Sequence, residues 1–589
     1  MSSFEQIARA LWRARVTWFI PIWMFITAVA AIRIVWVLGR ADASNLQTKS
    51  ALGFSTVRYA LQSWTRKDRS AAGLLAALVL FYVAIMLAGE DFTYYDNSMF
   101  TLYTLRGLNI LPPIWRGNGR FFPLGHQEFN VIRHLTGTAF GYHLFPVIEL
   151  IALVCLLLAL DDDLAPAAHA CIAAFTLILP SVVISFGGLI FTERNILLWI
   201  GVFAYCMKRF DLAASPRWAA GAVIAAQFIL YYKETAFIFI FTFAVTRMIL
   251  RGRESGSIFA FSSDSSNKRG YLDLWLACLS MVYLLYYFAA MIPHPNMGYA
   301  DQARLNYADT LWAYLRLDPL AFLLVAFVAW RSYRIFAHRQ QPWLLWDSLA
   351  LGGVAYFFAY LRLSMYASYY LAPVDLIACL YVGRIFVPSY ANLRRPMQLA
   401  VTLAVALLLA QQLAFSTFCV FERKNTIRAK AEMARAILAH YRRDPTGTTV
   451  LYFPFANTTL VMQFGAYLQH LGVPVDTPSA PGSRNPAVVL TSAAVATEGP
   501  CVAYEEIQCR PGGAPESGDL VVVLPDDEAS SAEVAPFREN GALLASYSPR
   551  PELPSWIHPY LGILHNASPH AVTQTFPDRW LDASVTQWK

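Results

Sequence analysis

Long apolar stretches separated by short polar loops occupy the chain up to about residue 418. Several approach the roughly 17 to 25 residues that a helix needs to cross a bilayer, and no alternating barrel pattern is present. We therefore predict an α-helical polytopic membrane protein with about 11 to 12 transmembrane helices. The predicted spans lie near Val16–Val37, Ala71–Ala88, Phe145–Leu160, Ala167–Pro180, Ile196–Met207, Trp218–Tyr232, Thr235–Leu250, Tyr271–Met291, Leu320–Trp330, Leu344–Tyr360, Tyr369–Tyr381 and Gln398–Phe418.

The composition supports this class. Of the 589 residues, 57% are hydrophobic and only 14% are charged, and the mean hydropathy is +0.42. A soluble chain of this length would carry more charge. The net charge of +7 comes from Lys and Arg residues that gather in short loops beside apolar spans, so no nucleic-acid partner is predicted.

Basic loops fall on one side of the predicted membrane. From the second span onward, loops rich in Lys and Arg alternate with loops that are not. The positive-inside rule makes the basic side cytoplasmic, which places the chain after Phe418 on the outer side. The basic loops are Arg66–Arg69, Lys208–Arg209, Arg247–Arg269, Arg331–Arg339 and Arg384–Arg395.

The first 70 residues are predicted to form a basic segment with one apolar span, ahead of a transmembrane module over residues 71–418. Arg13 and Arg15 precede this span and Arg40 follows it, so both flanks are basic. The span therefore either lies in the membrane interface as an amphipathic helix or crosses with one basic flank outside. No small-residue cleavage site follows it, so it does not resemble a signal peptide.

Residues 419–589 have a soluble pattern and are predicted to form a small α/β domain on the outer side. Short apolar runs alternate with loops rich in Pro, Gly, Ser and Asp. Cys501 and Cys509 lie in this domain, where an oxidising compartment would let them pair or where they stay free. The predicted strands are Thr449–Phe455, Ala487–Leu490, Leu520–Leu524 and Ala542–Tyr547, and the predicted helix is Thr458–Leu471.

Polar residues that interrupt the apolar pattern collect on the outer side. The loop after the second span carries Glu90, Asp91 and Asp96 within seven residues and continues for about fifty residues, past Arg120. In one interpretation, charges in such loops are merely solvated or set the orientation of the chain in the membrane, and have no further role. A long outer loop with clustered carboxylates is nevertheless typical of a binding or catalytic surface.

Two later turns add further charged pairs at the same face. Glu193 and Arg194 stand at the mouth of one span, and Lys233 and Glu234 interrupt nearly thirty apolar residues at a tight turn. Neighbouring charges can simply pair with each other. Charges at that depth are costly unless they contact one another, a ligand or water, so we regard these turns as a candidate site.

This arrangement resembles the GT-C glycosyltransferases, multi-span enzymes that use polyprenyl-phosphate-linked sugars as donors. The resemblance covers roughly residues 71–384 and rests on the acidic first outer loop, the acid of the next loop, the Lys233-Glu234 turn, and the segment that contains Arg362, Tyr366 and Pro373. It implies sugar transfer at the outer face. The additional N-terminal span departs from the family, and no Trp-Trp-Asp-Tyr-Gly motif of the oligosaccharyltransferases is present.

The chemistry of such a transfer assigns roles to the candidate residues. A carboxylate must take the acceptor proton, and cations must stabilise the departing phosphate. One displacement would invert the anomeric centre. We predict Asp96 or Asp91 as the base, with Glu193 assisting. The predicted phosphate-binding residues are Lys233, Arg304, Arg362 and His294. The predicted substrate-binding residues are Glu90, Arg194, Glu234, Tyr366 and Arg120.

The predicted partners are a lipid-linked sugar donor, a glycan or glycolipid acceptor, and membrane lipids. No cofactor is predicted apart from a possible divalent cation between carboxylates, and its ligands stay unassigned. The predicted location is the bacterial inner membrane, with the site and the C-terminal domain in the periplasm. The alternatives are a secondary transporter, which would concentrate its charges near the membrane midplane, and a ligase or assembly protein that acts on lipid-linked glycans.

Overall fold

The computed structural model describes most of the chain between residues 66 and 548, together with the C-terminal strand. The described residues are 23–25, 27–30, 32–33, 66–88, 90–93, 97–115, 120–160, 164–255, 265–291, 307–390, 392–445, 448–456, 458–475, 488–493, 509–511, 513–525, 531–548 and 582–589. The predicted first span and the predictions for Asp96, His294, Arg304 and Cys501 fall largely or wholly outside them.

Helices dominate the described part of the chain up to residue 443. They are α1 (Arg66–Leu87), α2 (Asn97–Leu105), α3 (Gln127–Ile132), α4 (Ala139–Ala159), α5 (Pro166–Ile178), α6 (Pro180–Gly187), α7 (Glu193–Ala213), α8 (Pro216–Tyr232), α9 (Ala236–Ser255), α10 (Ser265–Met291), α11 (Tyr307–Leu317), α12 (Pro319–Ala337), α13 (Leu344–Leu363), α14 (Ala372–Tyr390) and α15 (Arg395–Arg443). A hairpin of β1 (Ile114–Trp115) and β2 (Arg120–Phe121) interrupts the first outer loop.

Seven described helices are long and apolar enough to cross a membrane, and an eighth span results if one bent pair is counted. The bent pair is α5 and α6, which meet at an angle of 68°. Leu179 separates them in an extended conformation, and Pro180 opens the second helix. Because proline cannot donate the next helical hydrogen bond, the predicted single span near Ala167–Pro180 ends in a break.

Proline also begins several other helices, at a position where its missing N–H is not needed. It opens α5, α8 and α12, and it stands second in α15. These starts fix the short loops between the predicted spans. The helical bundle then packs its buried faces into a core that includes Phe203, Ala222 and Phe243.

The C-terminal part contains a six-stranded sheet in the order β5, β4, β3, β6, β8, β7. The first four strands in this order are parallel to one another. At the other end of the sheet, β8 pairs antiparallel with β6, and the edge strand β7 pairs antiparallel with β8. Its elements are β3 (Thr449–Phe453), α16 (Thr458–His470), β4 (Val488–Ser492), β5 (Cys509–Pro511), β6 (Leu520–Val523), α17 (Ser531–Glu539), β7 (Gly541–Tyr547) and β8 (Ala583–Trp588). The fold class, an α-helical membrane protein with a small C-terminal α/β unit, is confirmed.

Helix α15 joins the bundle to this sheet without interruption. It runs for 49 residues and passes through the predicted boundary at 418/419. Its last turns share a hydrophobic core with the sheet and with the first outer loop, where Met433 and Ile437 meet Phe92 and Leu451. The C-terminal domain therefore packs against one end of the bundle, which we call the domain-facing end.

The opposite end of the bundle carries its own ion pairs. Arg247 is fully buried and bonds Asp211 at 2.6 Å and Asp273 at 2.8 Å. Arg331 lies 3.4 Å from Asp347. These arginines belong to the loops predicted as cytoplasmic. Part of the positive charge of those loops is therefore paired with Asp211, Asp273 and Asp347.

Candidate functional site

Lys233 and Glu193 form a buried ion pair at the domain-facing end. The Lys233 Nζ lies 2.6 Å from the Glu193 Oε1, and the side chains are only 7% and 2% exposed. Glu193 opens α7 and Lys233 directly follows α8, so each charge has the sign that the helix dipole favours at that end. The Lys233 ammonium also lies 4.8 Å from the ring centre of Tyr370.

Arg194 organises a second network beside this pair. Its guanidinium donates to Glu149 at 2.7 Å and to Glu128 at 2.9 Å. It also donates to the carbonyl oxygens of Gly188 and Leu189 at 3.1 and 2.6 Å. Arg194 is 1% exposed, and this fork of bonds from one side chain joins α3, α4 and the turn before α7.

His126 lies in the field of three cations. Burial lowers the pKa of the imidazole to about 3, and the positive charges of Arg194, Arg120 and Lys233 act in the same direction. His126 is therefore neutral at pH 7. Its backbone is left-handed, with φ of 62°, and its ring stacks on Phe100 with 4.2 Å between centres. A non-glycine residue in this conformation costs free energy, which the surrounding packing must offset.

Two carboxylates of this region are also held by cations. Arg120 forms an ion pair with Glu234 at 2.5 Å, and both side chains are largely buried. Burial raises the pKa of Glu128, against the opposing effect of Arg194. The predicted residues Glu193, Arg194, Lys233, Glu234 and Arg120 thus lie in one region, as paired charges.

Glu90 lies in a neighbouring cluster. Its carboxylate accepts bonds from Arg423 and Lys424 of α15, and the His143 Nε2 lies 3.3 Å away. Burial raises the pKa of Glu90, and the two cations oppose this effect. Arg423 also donates to the Gly187 carbonyl, one residue from the Gly188 carbonyl that Arg194 uses.

Asp91 is bound to the C-terminal domain. The Tyr467 hydroxyl of α16 donates to Asp91 Oδ2, and the Phe92 backbone N–H donates to Oδ1 at 2.7 Å. Both carboxylate oxygens therefore accept hydrogen bonds. Phe92 adds a ring contact with His470, 5.4 Å between centres. These contacts fasten the start of the first outer loop to the domain.

Two predicted residues lie apart from the network. Arg362 is exposed at the last turn of α13. Tyr366 is buried against Tyr314, with ring centres 4.9 Å apart, and it neighbours Asp318. Burial and the Asp375 carboxylate raise the pKa of Asp318 well above its usual value. The roles proposed for Asp96, Arg304 and His294 stay predictions because these residues lie outside the described ranges.

Sequence reasoning gave no role to several residues that complete these networks. Glu128 and Glu149 hold Arg194, Arg423 and Lys424 hold Glu90, and Tyr467 holds Asp91. One signal was present, because Arg423 and Lys424 directly follow the last apolar run. Glu128 lies in the long outer loop that the sequence singles out, but its partner could not be predicted, and Tyr467 carries no local signal. Only the tertiary fold brings these two residues to their partners.

The described residues contain no group of three or more His, Cys, Asp or Glu side chains placed to hold a metal ion. Carboxylates in this region bind cationic side chains instead. The divalent cation between carboxylates, whose ligands were not assigned, stays a prediction.

No protein-family model and no curated protein matches this chain. A search of solved structures found the crystal structure of ArnT from Cupriavidus metallidurans bound to undecaprenyl phosphate. That chain is 12% identical, and the match covers 87% of this chain and 97% of that chain with a TM-score of 0.44. A likeness of this size does not establish a shared fold or a shared activity.

Proposed function

We propose that this protein is a membrane glycosyltransferase that moves a sugar from a polyprenyl-phosphate-linked donor to a hydroxyl of an envelope glycan or glycolipid. The observation that carries the proposal is the buried Lys233–Glu193 pair beside the Arg194 network at the domain-facing end. Such a site offers both a carboxylate for an acceptor and a cation for a phosphate. Burial makes both interactions stronger than they would be in water.

The reaction requires one carboxylate base. Asp91 is the weaker candidate, because both of its oxygens accept hydrogen bonds that hold the loop to the C-terminal domain. We assign the base to Asp96, which lies in the same loop, three residues after Thr93. Glu193 would orient the acceptor hydroxyl when Lys233 turns toward the donor phosphate.

The bond changes of the transfer balance with these groups alone. The acceptor oxygen forms a bond to the anomeric carbon while the bond from that carbon to the phosphate oxygen breaks. The phosphate keeps the electron pair, and the acceptor proton goes to the carboxylate. A single displacement of this kind inverts the anomeric centre.

The departing phosphate would be stabilised mainly by Lys233, with Arg304, Arg362 and His294 as further candidates. Arg194 and Arg120 would act on the substrate through the carboxylates that they hold, Glu128, Glu149 and Glu234. His126, which is neutral at pH 7, adds no competing charge. The proposal places this site and the C-terminal domain on the periplasmic side of a bacterial inner membrane.

The test is sugar transfer by the purified protein in membranes that contain native acceptors, using a panel of radiolabelled polyprenyl-phosphate sugars. Asp96→Asn should abolish transfer with the fold intact, and Asp91→Asn should lower it less. Glu193→Gln should also abolish transfer, but it lowers the stability of the fold as well because it leaves Lys233 buried without its partner. The matched control is Glu432→Gln, an exposed carboxylate of α15 that is paired with Arg435. Absence of transfer from every donor, together with tight binding of a lipid-linked glycan, would favour a ligase, transporter or assembly protein.

A further inference from the structure

Asp318 and Asp375 bring two carboxyl groups together inside the helical bundle. The two residues are only 3% and 2% exposed. The Asp375 carboxyl acts electrostatically on Asp318, so the two groups are close in space. Two like charges in an apolar bundle repel each other and lose the stabilisation that water would provide. Such a pair has to take up either a proton or a cation.

No cationic side chain compensates these carboxyl groups within the described part of the chain. The buried carboxylates of Glu193 and Glu128 each meet a lysine or an arginine. The Asp375 Oδ2, in contrast, accepts a hydrogen bond from the Ser181 hydroxyl at 2.6 Å. The Asp375 Oδ1 and the Asp318 Oδ2 are buried and have no hydrogen-bond partner among the described residues. Buried polar atoms of this kind are rare, and a bound ion is one explanation for them.

The position of Asp318 gives a second, independent indication. It is the N-cap residue of α12, where an aspartate side chain normally accepts a hydrogen bond from a backbone N–H of the first turn. Here the side chain makes no capping bond. Its carboxyl therefore lies beside Asp375 without serving its own helix, which is the behaviour expected of a ligand.

A buried tyrosine hydroxyl adds a third oxygen to the cluster. Tyr366 is 2% exposed, and both Asp318 and Asp375 act on it electrostatically. Its hydroxyl oxygen makes no hydrogen bond of normal geometry with the described residues. The Tyr314 hydroxyl donates to the Met365 carbonyl at 2.6 Å, which holds the turn before Tyr366 in place. The Tyr366 oxygen thus keeps a lone pair for a cation.

The cluster lies where three helical segments are interrupted. Ser181 follows the 68° bend between α5 and α6, Asp318 separates α11 from α12, and Asp375 stands in the first turn of α14. Since a helix N-terminus favours negative charge, α12 and α14 favour the anionic forms of the two aspartates, and hence a cation over a proton. Interrupted helices are also the elements with which membrane proteins bind small cations inside a bundle.

We propose that Asp318, Asp375 and Tyr366 bind one sodium ion, with Ser181 holding the second oxygen of Asp375. Oxygen ligands suit a hard cation. The charge also balances, because each of two helix N-termini acts as roughly half a positive charge and the ion adds one against two carboxylates. Magnesium fits less well, since it keeps several of its waters and these oxygens are closed to water.

The sodium site adjoins elements that frame the Lys233–Glu193 pair. The turn Ser368–Leu371 leads into α14 and carries Tyr370, whose ring centre lies 4.8 Å from the Lys233 ammonium. The ion would therefore hold α6, α12 and α14 together next to the proposed reaction centre. The binding proposal does not depend on sugar transfer, and it can fail or succeed independently.

The test measures sodium binding to the purified full chain in detergent, with choline replacing sodium at constant ionic strength. Thermal unfolding should shift to higher temperature with sodium concentration and then saturate, because an ion that binds only the folded protein stabilises it. Radioactive sodium should bind with one ion per chain. Asp375→Asn and Asp318→Asn should each weaken binding at least about tenfold, and Tyr366→Phe about threefold.

The matched control is Asp347→Asn, which removes a buried carboxylate that is paired with Arg331 at the opposite end of the bundle. It should lower the stability but keep the sodium affinity of the wild type. Tyr366→Phe keeps the ring and its packing, so it tests the site even if an aspartate variant fails to fold.

Equal melting of the wild type in sodium and in choline, without saturable sodium binding, would overturn the proposal and assign a shared proton to the two aspartates. Unchanged sodium affinity in both Asp375→Asn and Tyr366→Phe would also contradict it. A third contrary result would be calcium binding that Asp375→Asn abolishes and that excess sodium does not displace, since the site would then belong to a divalent ion.

Discussion

Lys233 and Glu193 come from turns forty residues apart in the chain and meet with 2.6 Å between the ammonium and the carboxylate. Both side chains are almost wholly buried. Each lies at a helix end whose dipole favours its charge. The two charges are therefore stabilised both by each other and by the helix dipoles. The pair is the centre of the proposed reaction site.

The first prediction concerns the cost of breaking this pair. Lys233→Ala or Glu193→Gln should destabilise the protein by about 3 to 5 kcal/mol, since each leaves one buried charge without its partner. The double variant Lys233→Met with Glu193→Leu should recover much of that loss, because no charge is then buried. Thermal unfolding in detergent measures the three stabilities.

A measurement of sugar transfer by the double variant separates the structural role of the Lys233–Glu193 pair from its catalytic role. The double variant should remain inactive although its stability recovers, because both the cation and the carboxylate of the proposed site are gone. An active double variant would show that the pair only holds helices together, and the proposed reaction centre would then have to move elsewhere.

A second prediction uses Arg194. Arg194→Lys keeps the charge but loses the fork that binds Glu128, Glu149 and two carbonyl groups at once. An ammonium cannot make that set of bonds, so transfer should fall at least about tenfold, equivalent to about 1.4 kcal/mol. Arg435→Lys on the surface of α15 is the matched control and should keep wild-type activity.

A third prediction concerns the attachment of the first outer loop. Tyr467→Phe removes the hydroxyl that donates to Asp91 and nothing else. A hydrogen bond to a charged group contributes about 1.5 to 3 kcal/mol, so residues 90–93 should exchange amide hydrogen faster in the variant. Transfer should fall because the loop that carries Asp96 is loosened.

Tyr333→Phe provides the comparison, since Tyr333 is 60% exposed near the opposite end. Unaltered exchange of residues 90–93 in Tyr467→Phe would mean that the loop is held by its apolar contacts with the domain, chiefly through Phe92.

A fourth prediction follows from Glu90. Burial raises its pKa above the usual 4.5 despite Arg423 and Lys424, and His143 and Tyr82 are the other titratable groups nearby. A carboxyl whose pKa is raised in the fold stabilises the protein fully below its unfolded pKa. That contribution is lost as pH rises through the folded pKa.

The stability of wild type relative to Glu90→Gln should therefore decline as pH rises above 4.5, the usual pKa of the glutamate side chain. Melting curves of both proteins between acidic and neutral pH provide the comparison, and the difference between them cancels the other titrating groups. A difference that grows with pH would mean that the two cations outweigh the burial of the carboxylate.

The sequence predicted most of the helical and strand elements because their signals are local. The run Thr449–Phe455 predicted the strand observed at Thr449–Phe453, and the predicted helix from Thr458 to Leu471 ends one residue earlier in the structure. The strands β5 and β8 were not predicted, since three residues with a proline and a polar strand lack an apolar alternation. The predicted number of about 11 to 12 spans and the domain boundaries stay predictions.

By itself the sequence determined the class of the protein, the positions of its apolar helices and the loops in which its unusual charges lie. Those properties follow from hydropathy and periodicity, which neighbouring residues set. Only the tertiary structure decided which charge meets which: Glu193 with Lys233, Arg194 with Glu128, and Glu90 with two cations of a helix over 300 residues away. Partners of a buried charge are chosen by helix packing, because the cost of an unpaired charge depends on distance in space and not along the chain.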